Sequence, residues 1–164
     1  MIRRATLADL DELAGVHLAA FRAGNGPYVD PGALSELTYE RNVERWRPVI
    51  AHPPSGAAVQ VADADGRIIG LCSAGACRDE DGAGLGQLYA IYVDPQRWGD
   101  GTAVALEEAA RAHLRNGHFT EATLWTLAAN TRARRFYEKR GWRQDGSTME
   151  LMGATCVRYR TELR

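Results

Sequence analysis

The sequence predicts a single α/β domain over residues 1–164, a mixed, mostly antiparallel sheet of about six or seven strands flanked by about four helices. Three observations predict it. The chain has 164 residues, 45% of them hydrophobic and 25% charged, which is enough to bury one core and ordinary for a globular protein. Stretches with apolar residues at three- and four-residue steps interleave with short β-branched and aromatic runs. A strand, a glycine loop and a helix then follow one another without a break near the middle of the chain. No repeat or linker divides it.

Ile2 to Ala5 reads as a short strand, and Thr6 followed by Asp9 resembles a capping box that opens a helix. Leu10, Leu13, Ala14, Val16, His17, Ala20 and Phe21 give that helix, over residues 8–23, one apolar face that ends at Gly24-Asn25-Gly26-Pro27. A second helix is expected between Gly32 and Arg47, burying Leu34, Leu37, Val43 and Trp46 and stopped by Pro48. Ala57 to Ala62 and Arg67 to Cys77 form a hairpin about Asp63-Ala64-Asp65-Gly66, whose Asp-Gly favours positive φ. Arg78 to Gly84, acidic and glycine-rich, reads as an exposed loop.

Gln87 to Val93 is an aromatic and β-branched strand ended by Asp94-Pro95. Beyond Gly99-Asp100-Gly101, a helix runs from Thr102 to Leu114, and Asn116-Gly117 should close it as a left-handed cap. Ala122 to Leu127 is a further strand, and Asn130 caps a helix that runs through Arg140 to Gly141. Trp142 to Asp145 and Thr155 to Tyr159 supply the last two strands.

Charge excludes some functions. Lys plus Arg total 20 against 21 for Asp plus Glu, so the electrostatic footprint of a nucleic-acid binder is missing. No stretch approaches the roughly 20 apolar residues of a membrane span. Cys72, Cys77 and Cys156 form no CxxC pair and fit a reducing compartment, so a cytoplasmic location is expected. His17, His52, His113 and His118 lack metal-ligand spacing, so no metal is expected, and no nucleophilic triad is legible.

A glycine loop between strand and helix is suited to anions, because amides at a helix N-terminus are unpaired and the dipole there is positive. The loop at Gly99 and Gly101 fits neither the P-loop pattern, for want of a lysine, nor G-x-G-x-x-G, for want of the third glycine. An ordinary tight turn is the alternative. About 30 residues later comes Asn130-Thr131-Arg132-Ala133-Arg134-Arg135-Phe136-Tyr137-Glu138-Lys139-Arg140-Gly141-Trp142.

Taken together, the two segments resemble the GNAT superfamily of acyl-CoA-dependent N-acetyltransferases. Val93-Asp94-Pro95 matches the family's Val-x-Pro strand end. Trp98-Gly99-Asp100-Gly101-Thr102-Ala103 matches its loop at Gly101 and Ala103 but has Trp98 where the family has Gln or Arg. Asn130, Ala133, Phe136, Tyr137, Gly141 and Trp142 match the later pattern.

The resemblance implies a sheet whose central pair, the strand from Gln87 and the strand of Ala122 to Leu127, splays to admit acetyl-CoA as cosubstrate. Main-chain groups of Ile91, Tyr92 and Val93 would bond the pantetheine as an added strand would. Amides from Trp98 and Gly99 through Asp100, Gly101 and Thr102 to Ala103 would hold the pyrophosphate. Asn130, Arg132, Arg134 and Tyr137 would touch the cofactor.

The implied reaction is direct attack of a neutral primary amine of a small molecule or peptide on the thioester, in a ternary complex. Tyr137 is the implied acid for the thiolate, with packing of the helix on the sheet as its alternative, whereas packing is the expected role of Phe136. Some members carry a glutamate where this chain has Gln87, which cannot take a proton and instead holds a water or orients the substrate. The acceptor site would involve Phe21, Tyr28 and Asp30 from the first helices and their connection, with Tyr89 and Trp125 from the strands; an exposed turn is the alternative for Tyr28 and Asp30. A homodimer is common in the family. A non-catalytic acyl-CoA-binding or regulatory module is the second reading, and nucleotide binding the third.

Overall fold

Asp9 shows how the sequence starts its first helix. Its carboxylate accepts from Thr6 N at 2.8 Å and from both terminal nitrogens of Arg3 at 2.8 and 2.7 Å, which joins strand, cap and helix. Arg3 and the Thr6 amide hold the Asp9 carboxyl down at about 2. In the computed structural model, which describes all 164 residues, strand β1 (Ile2–Arg4) leads through a 3-10 turn at Leu7–Asp9, the turn that the box of Thr6 and Asp9 caps, into helix α1 (Leu10–Gly24). The remaining strands are β2 (Ala58–Ala64), β3 (Arg67–Ala76), β4 (Gly86–Val93), β5 (Glu121–Leu127), β6 (Arg143–Leu151) and β7 (Ala154–Glu162). The remaining helices are α2 (Pro31–Ser35), α3 (Tyr39–Ala51), α4 (Thr102–Asn116) and α5 (Thr131–Lys139).

All seven strands join one sheet in the order β1-β2-β3-β4-β5-β7-β6. Every neighbouring pair is antiparallel except β4 and β5, which are joined through α4 and therefore run parallel. That pair is registered only at Gly86 with Ala122 and Gln87 with Thr123. Beyond those residues the strands part, as the resemblance implied. Leu10, Leu13, Trp46, Val61 and Leu71 pack α1 and α3 on one face of the sheet, while Leu88, Leu106, Ala110, Leu114 and Trp142 pack α4 on the other.

Four local expectations need correction. The second helix is two pieces, α2 and α3, divided where Thr38 caps α3 by accepting from Arg41 N at 3.3 Å. Pro48 does not stop α3: His52 N still bonds Pro48 O at 2.8 Å. Proline removes one donor, and the packing of Trp46, Val49 and Ile50 in the core outweighs that loss. At the end of α4 the left-handed residue is His118, φ 66°, and not Gly117, φ −80°. There Phe119 N reaches Leu114 O at 3.2 Å, which sets the reversal one residue later.

The last two strands are longer than expected, and Trp142 lies just before them. β6 is an edge strand exposed along nearly its whole length, so it lacks the alternation that reveals a strand. Its register shifts between Gln144 and Thr148, around Gly146. Met152 and Gly153, with φ of 50° and 74°, turn the chain into β7.

The apolar face of α1 also buries a titratable group. His17 is 3% exposed, stacks on Tyr92 with ring centroids 4.2 Å apart, and accepts from Trp46 Nε1 at 2.9 Å. Burial, reinforced by Arg45, holds the imidazole at about 4 against 6.5. The unfolded chain therefore takes up this proton first as pH falls, and stability drops from pH 6.5 down to about 4. His17 should account for about 3 kcal/mol of that loss. Urea unfolding at several pH values should show a slope in this window that is absent in His17→Gln, whose amide oxygen can still accept from Trp46.

Candidate active site

The parting of β4 from β5 leaves main-chain groups without a partner strand. Asp94 N bonds Ile69 O in β3 at 2.9 Å, and because antiparallel ladders alternate, the polar groups of Ile91 and Val93 point the other way, into the gap. Tyr92 differs from the expectation: its backbone faces Leu71 of β3, and it is its side chain that reaches the cleft. Opposite Ser73 and Ala74 the register skips Tyr89, a bulge that re-aims β4 where it leaves β5. The resulting cleft has a volume of about 390 Å³.

Trp98 lines one end of the cleft, and the glycine loop follows it in the chain, its Asp100, Gly101 and Thr102 lining a second hollow. Gly99 and Gly101 have φ of 89° and 94°, a region that penalises any side chain, and a Cβ at either would meet nothing within 4 Å. The loop's open face is thus bare backbone. Ala105 N bonds Gly101 O at 3.1 Å, so α4 starts here and the amides of Ala103 and Val104 have no intrahelical acceptor. Asp100 occupies the remaining one, its Oδ1 accepting from Thr102 N at 2.9 Å while Arg97 pairs with it at 2.9 Å. Thr102 and Arg97 hold the Asp100 carboxyl below the usual carboxylate range, so an anion stands beside the cradle with a cation to offset it. The donor set fits a diphosphate.

Trp98 closes this end. Its indole donates to Val93 O at 2.9 Å, filling one of the open acceptors of β4, and the Arg132 guanidinium lies 3.1 Å over its ring. Arg132 thereby bridges α5 to the loop. Arg134 does not reach the cleft: two residues on, it is turned about 200° around the helix, donating to Tyr159 Oη and Ala128 O, each at 3.0 Å. Asn130 caps α5 by accepting from Ala133 N at 3.1 Å and donates to Asn25 Oδ1 at 2.8 Å, so it fixes the wall of the cleft where α5 meets the end of α1.

Tyr137, on the cleft side of α5, packs among Phe136, Trp142 and Tyr159 with centroids 5.3, 6.3 and 6.4 Å away. Burial, with Tyr92 and Glu107 nearby, pushes its phenol well above the ordinary value, so the hydroxyl keeps its proton at any physiological pH. Tyr92 beside it is pushed up to about 12 by burial. The cleft therefore presents neutral phenols.

At the other end, Gln87 is 6% exposed, and its Oε1 accepts from Arg78 N at 2.9 Å, anchoring the root of the loop between β3 and β4. Tyr89 donates to Ala76 O and carries the Arg78 guanidinium 3.7 Å over its ring. Trp125 donates to both oxygens of Asp79, at 3.1 and 3.0 Å. Phe21 lines the same wall.

Tyr28 and Asp30 do not line the cleft. Tyr28 is 45% exposed, and Asp30 spends its Oδ2 on Ala33 N at 2.8 Å as the cap of α2. Trp125, expected at the acceptor site, does line the cleft, and the carboxylate beside it is Asp79. Arg78 and Asp79 sit in what reads as an exposed loop, and the signal that draws it in is Arg158, whose Nη1 donates to Asp79 at 3.1 Å and to Asp81 at 2.6 Å.

The profile of the Acetyltransferase (GNAT) family matches residues 25–142. An uncharacterized N-acetyltransferase of Bacillus subtilis, YuaI, is 30% identical over 131 residues, which are 79% of this chain and 72% of that protein. The PaiA N-acetyltransferase of Thermoplasma acidophilum, solved with coenzyme A, superposes with a TM-score of 0.80 at 17% identity over 96% of each chain. YncA of Salmonella typhimurium, a putative acetyltransferase solved with acetyl-CoA, does so with a TM-score of 0.73 at 18% identity, covering 100% of this chain and 94% of its own.

Proposed function

The chain belongs to the GNAT acetyltransferase family, and from that membership we propose that it moves an acetyl group from acetyl-CoA to a primary amine of a small molecule or peptide, by direct attack while both are bound. Acetyl-CoA, when bound, brings the thioester carbonyl and the thiolate leaving group. The main chain of Ile91 and the amide N–H of Val93, whose carbonyl is taken by Trp98, face its amide-bearing arm as a neighbouring strand would. The free amides at Ala103 and Val104, with those of Gly99 and Gly101, receive the diphosphate. Asn130 and Arg132 hold the wall and the lip.

Two protons have to move. An ammonium is almost wholly charged at neutral pH, so one proton leaves before attack. Gln87 cannot accept it, and its amide oxygen is already committed to Arg78 N, so that proton leaves through water. Tyr137 gives its hydroxyl proton to the departing sulfur and is refilled from the nitrogen that has attacked. The single observation that carries this reading is that α5 holds the half-buried Tyr137 phenol, protonated, against the gap where β4 and β5 part. Free thiols at Cys72, Cys77 and Cys156 suit a cytoplasmic setting.

Release of free thiol from acetyl-CoA in the presence of a panel of primary amines tests the reading directly. Binding of acetyl-CoA with no thiol release from any of them would favour the acyl-CoA-binding module, which the missing acid at Gln87 also fits. Gly101→Glu, which puts a carboxylate and an L-residue where φ is 94°, should weaken acetyl-CoA binding about a hundredfold. Titration calorimetry measures this, and undiminished affinity would take the loop out of the site.

A further inference from the structure

The cleft carries opposite charges on consecutive residues. Asp79 is the one acid that lines it. Trp125 Nε1 meets both its oxygens, at 3.1 and 3.0 Å, and Arg158 Nη1 meets Oδ2 at 3.1 Å. A carboxylate oxygen can accept about two hydrogen bonds, which leaves capacity on Oδ1. The Arg158 guanidinium does not neutralise Asp79 by itself, because it also bonds Asp81 at 2.6 and 2.7 Å and Asp145 at 2.6 Å. Three carboxylates thus share the Arg158 guanidinium, with Arg160 acting on Asp81 and Asp145, so Asp79 has only a part of one cation.

Arg78 has its main chain fixed by Gln87 and its guanidinium 3.7 Å over the Tyr89 ring, and it pairs with no carboxylate. It is a fixed cation with free donors beside a fixed anion. Trp125, Met149 and Leu151 add an apolar wall, the last two 39% and 42% exposed.

We infer that the amine acceptor is an α-aminoacyl unit, its ammonium on Asp79, the oxygen of its adjacent carboxylate or carbonyl on Arg78, and an apolar side chain against Trp125, Met149 and Leu151. This rests on acetyl transfer in this cleft. In the step, one ammonium proton goes to water and the freed lone pair makes the C–N bond. The C–S bond breaks with its electrons on sulfur, which takes the Tyr137 proton, and the second proton on nitrogen refills the phenol. A plain alkylamine satisfies Asp79 alone. A polyamine brings a second cation toward Arg78.

Titration calorimetry on the coenzyme A-loaded protein separates these acceptors without turnover, using L-leucine, L-leucinamide and 3-methylbutylamine, which keeps the leucine skeleton but lacks the carbonyl. L-leucinamide or L-leucine should bind at least about tenfold more tightly than 3-methylbutylamine, and which of the two is tighter distinguishes a peptide terminus from a free amino acid. Asp79→Asn should weaken all three about tenfold with coenzyme A affinity unchanged, and Arg78→Met should abolish the preference over 3-methylbutylamine. Equal binding of the three, binding of none, or a preference untouched by Arg78→Met overturns the inference. Arg78 is exposed, so its variant carries the test even where Asp79→Asn fails to fold. L-leucinamide binding without thiol release would sink acetyl transfer and spare the recognition; thiol release equally fast with 3-methylbutylamine would do the reverse.

Discussion

Tyr137→Phe should lower the rate of thiol release about a hundredfold, while the affinity for acetyl-CoA and the melting temperature change little. Phenylalanine keeps the ring that packs against Phe136, Trp142 and Tyr159 and removes only the hydroxyl. The hydroxyl has no protein partner among the side-chain hydrogen bonds that hold its neighbours, such as Tyr159 with Glu138 and Arg134, so its loss orphans nothing. A raised phenol pKa looks like the wrong direction for an acid. The same partly desolvated surroundings raise the pKa of a thiol, however, and what governs transfer is the match between the two. Steady-state rates with calorimetric binding decide it: an unchanged rate accompanied by a fall in stability would make Tyr137 a packing residue only.

Glu107→Ala should cost about 3 kcal/mol or more of unfolding free energy, read by urea denaturation. Glu107 is fully buried in α4, where its carboxylate accepts from Arg111 Nε, from Arg140 at 3.1 and 2.9 Å, and from Trp142 Nε1 at 2.8 Å. Removing it strands the indole N–H of a side chain that is 1% exposed and leaves two guanidinium groups facing a hole. Arg140 and Arg111 keep some access to water, which holds the loss toward the low end of what a broken buried pair costs. Glu107→Gln retains an acceptor for Trp142 and should lose less. Because Glu107 joins α4, which starts at the glycine loop, to the end of α5, which carries Tyr137, the same variant should also raise the KM for acetyl-CoA.

How much of this was legible in the sequence depended on how local the governing interaction is. The 3.6-residue period of α1 and α4 and the Asp-Gly turn of the β2–β3 hairpin come from local spacing, and the structure has them, with Asp65 and Gly66 at φ of 54° and 86°. The splay of β4 from β5 came through family likeness and not through any pattern in the strands themselves. Pro48 was misread because the packing that carries α3 past it is contributed from distant strands. β6 was half missed because an exposed edge has no buried face to mark it.

The candidate site divides in the same way. Gly99, Gly101, Asn130 and Tyr137 stand in two short stretches that read as motifs, whereas Asp79 is brought in by Arg158, 79 residues away in the chain. Nothing in Arg78 to Gly84 taken alone distinguishes Asp79 from its acidic neighbours. Asp30 shows the converse: the right residue type near the right helix, consumed by a local cap.

Two rungs, at Gly86 and Gln87, are all that ladder the half of the sheet from β1 to β4 onto the half from β5 to β7. The chain has thus left unfinished a seam through its own middle, and an extended molecule lying along β4 would stitch it with the bonds that a further strand would have made. Occupancy then amounts to a late stage of folding, and amide exchange along Ile91 and Val93 should be the first to slow when the seam is sewn.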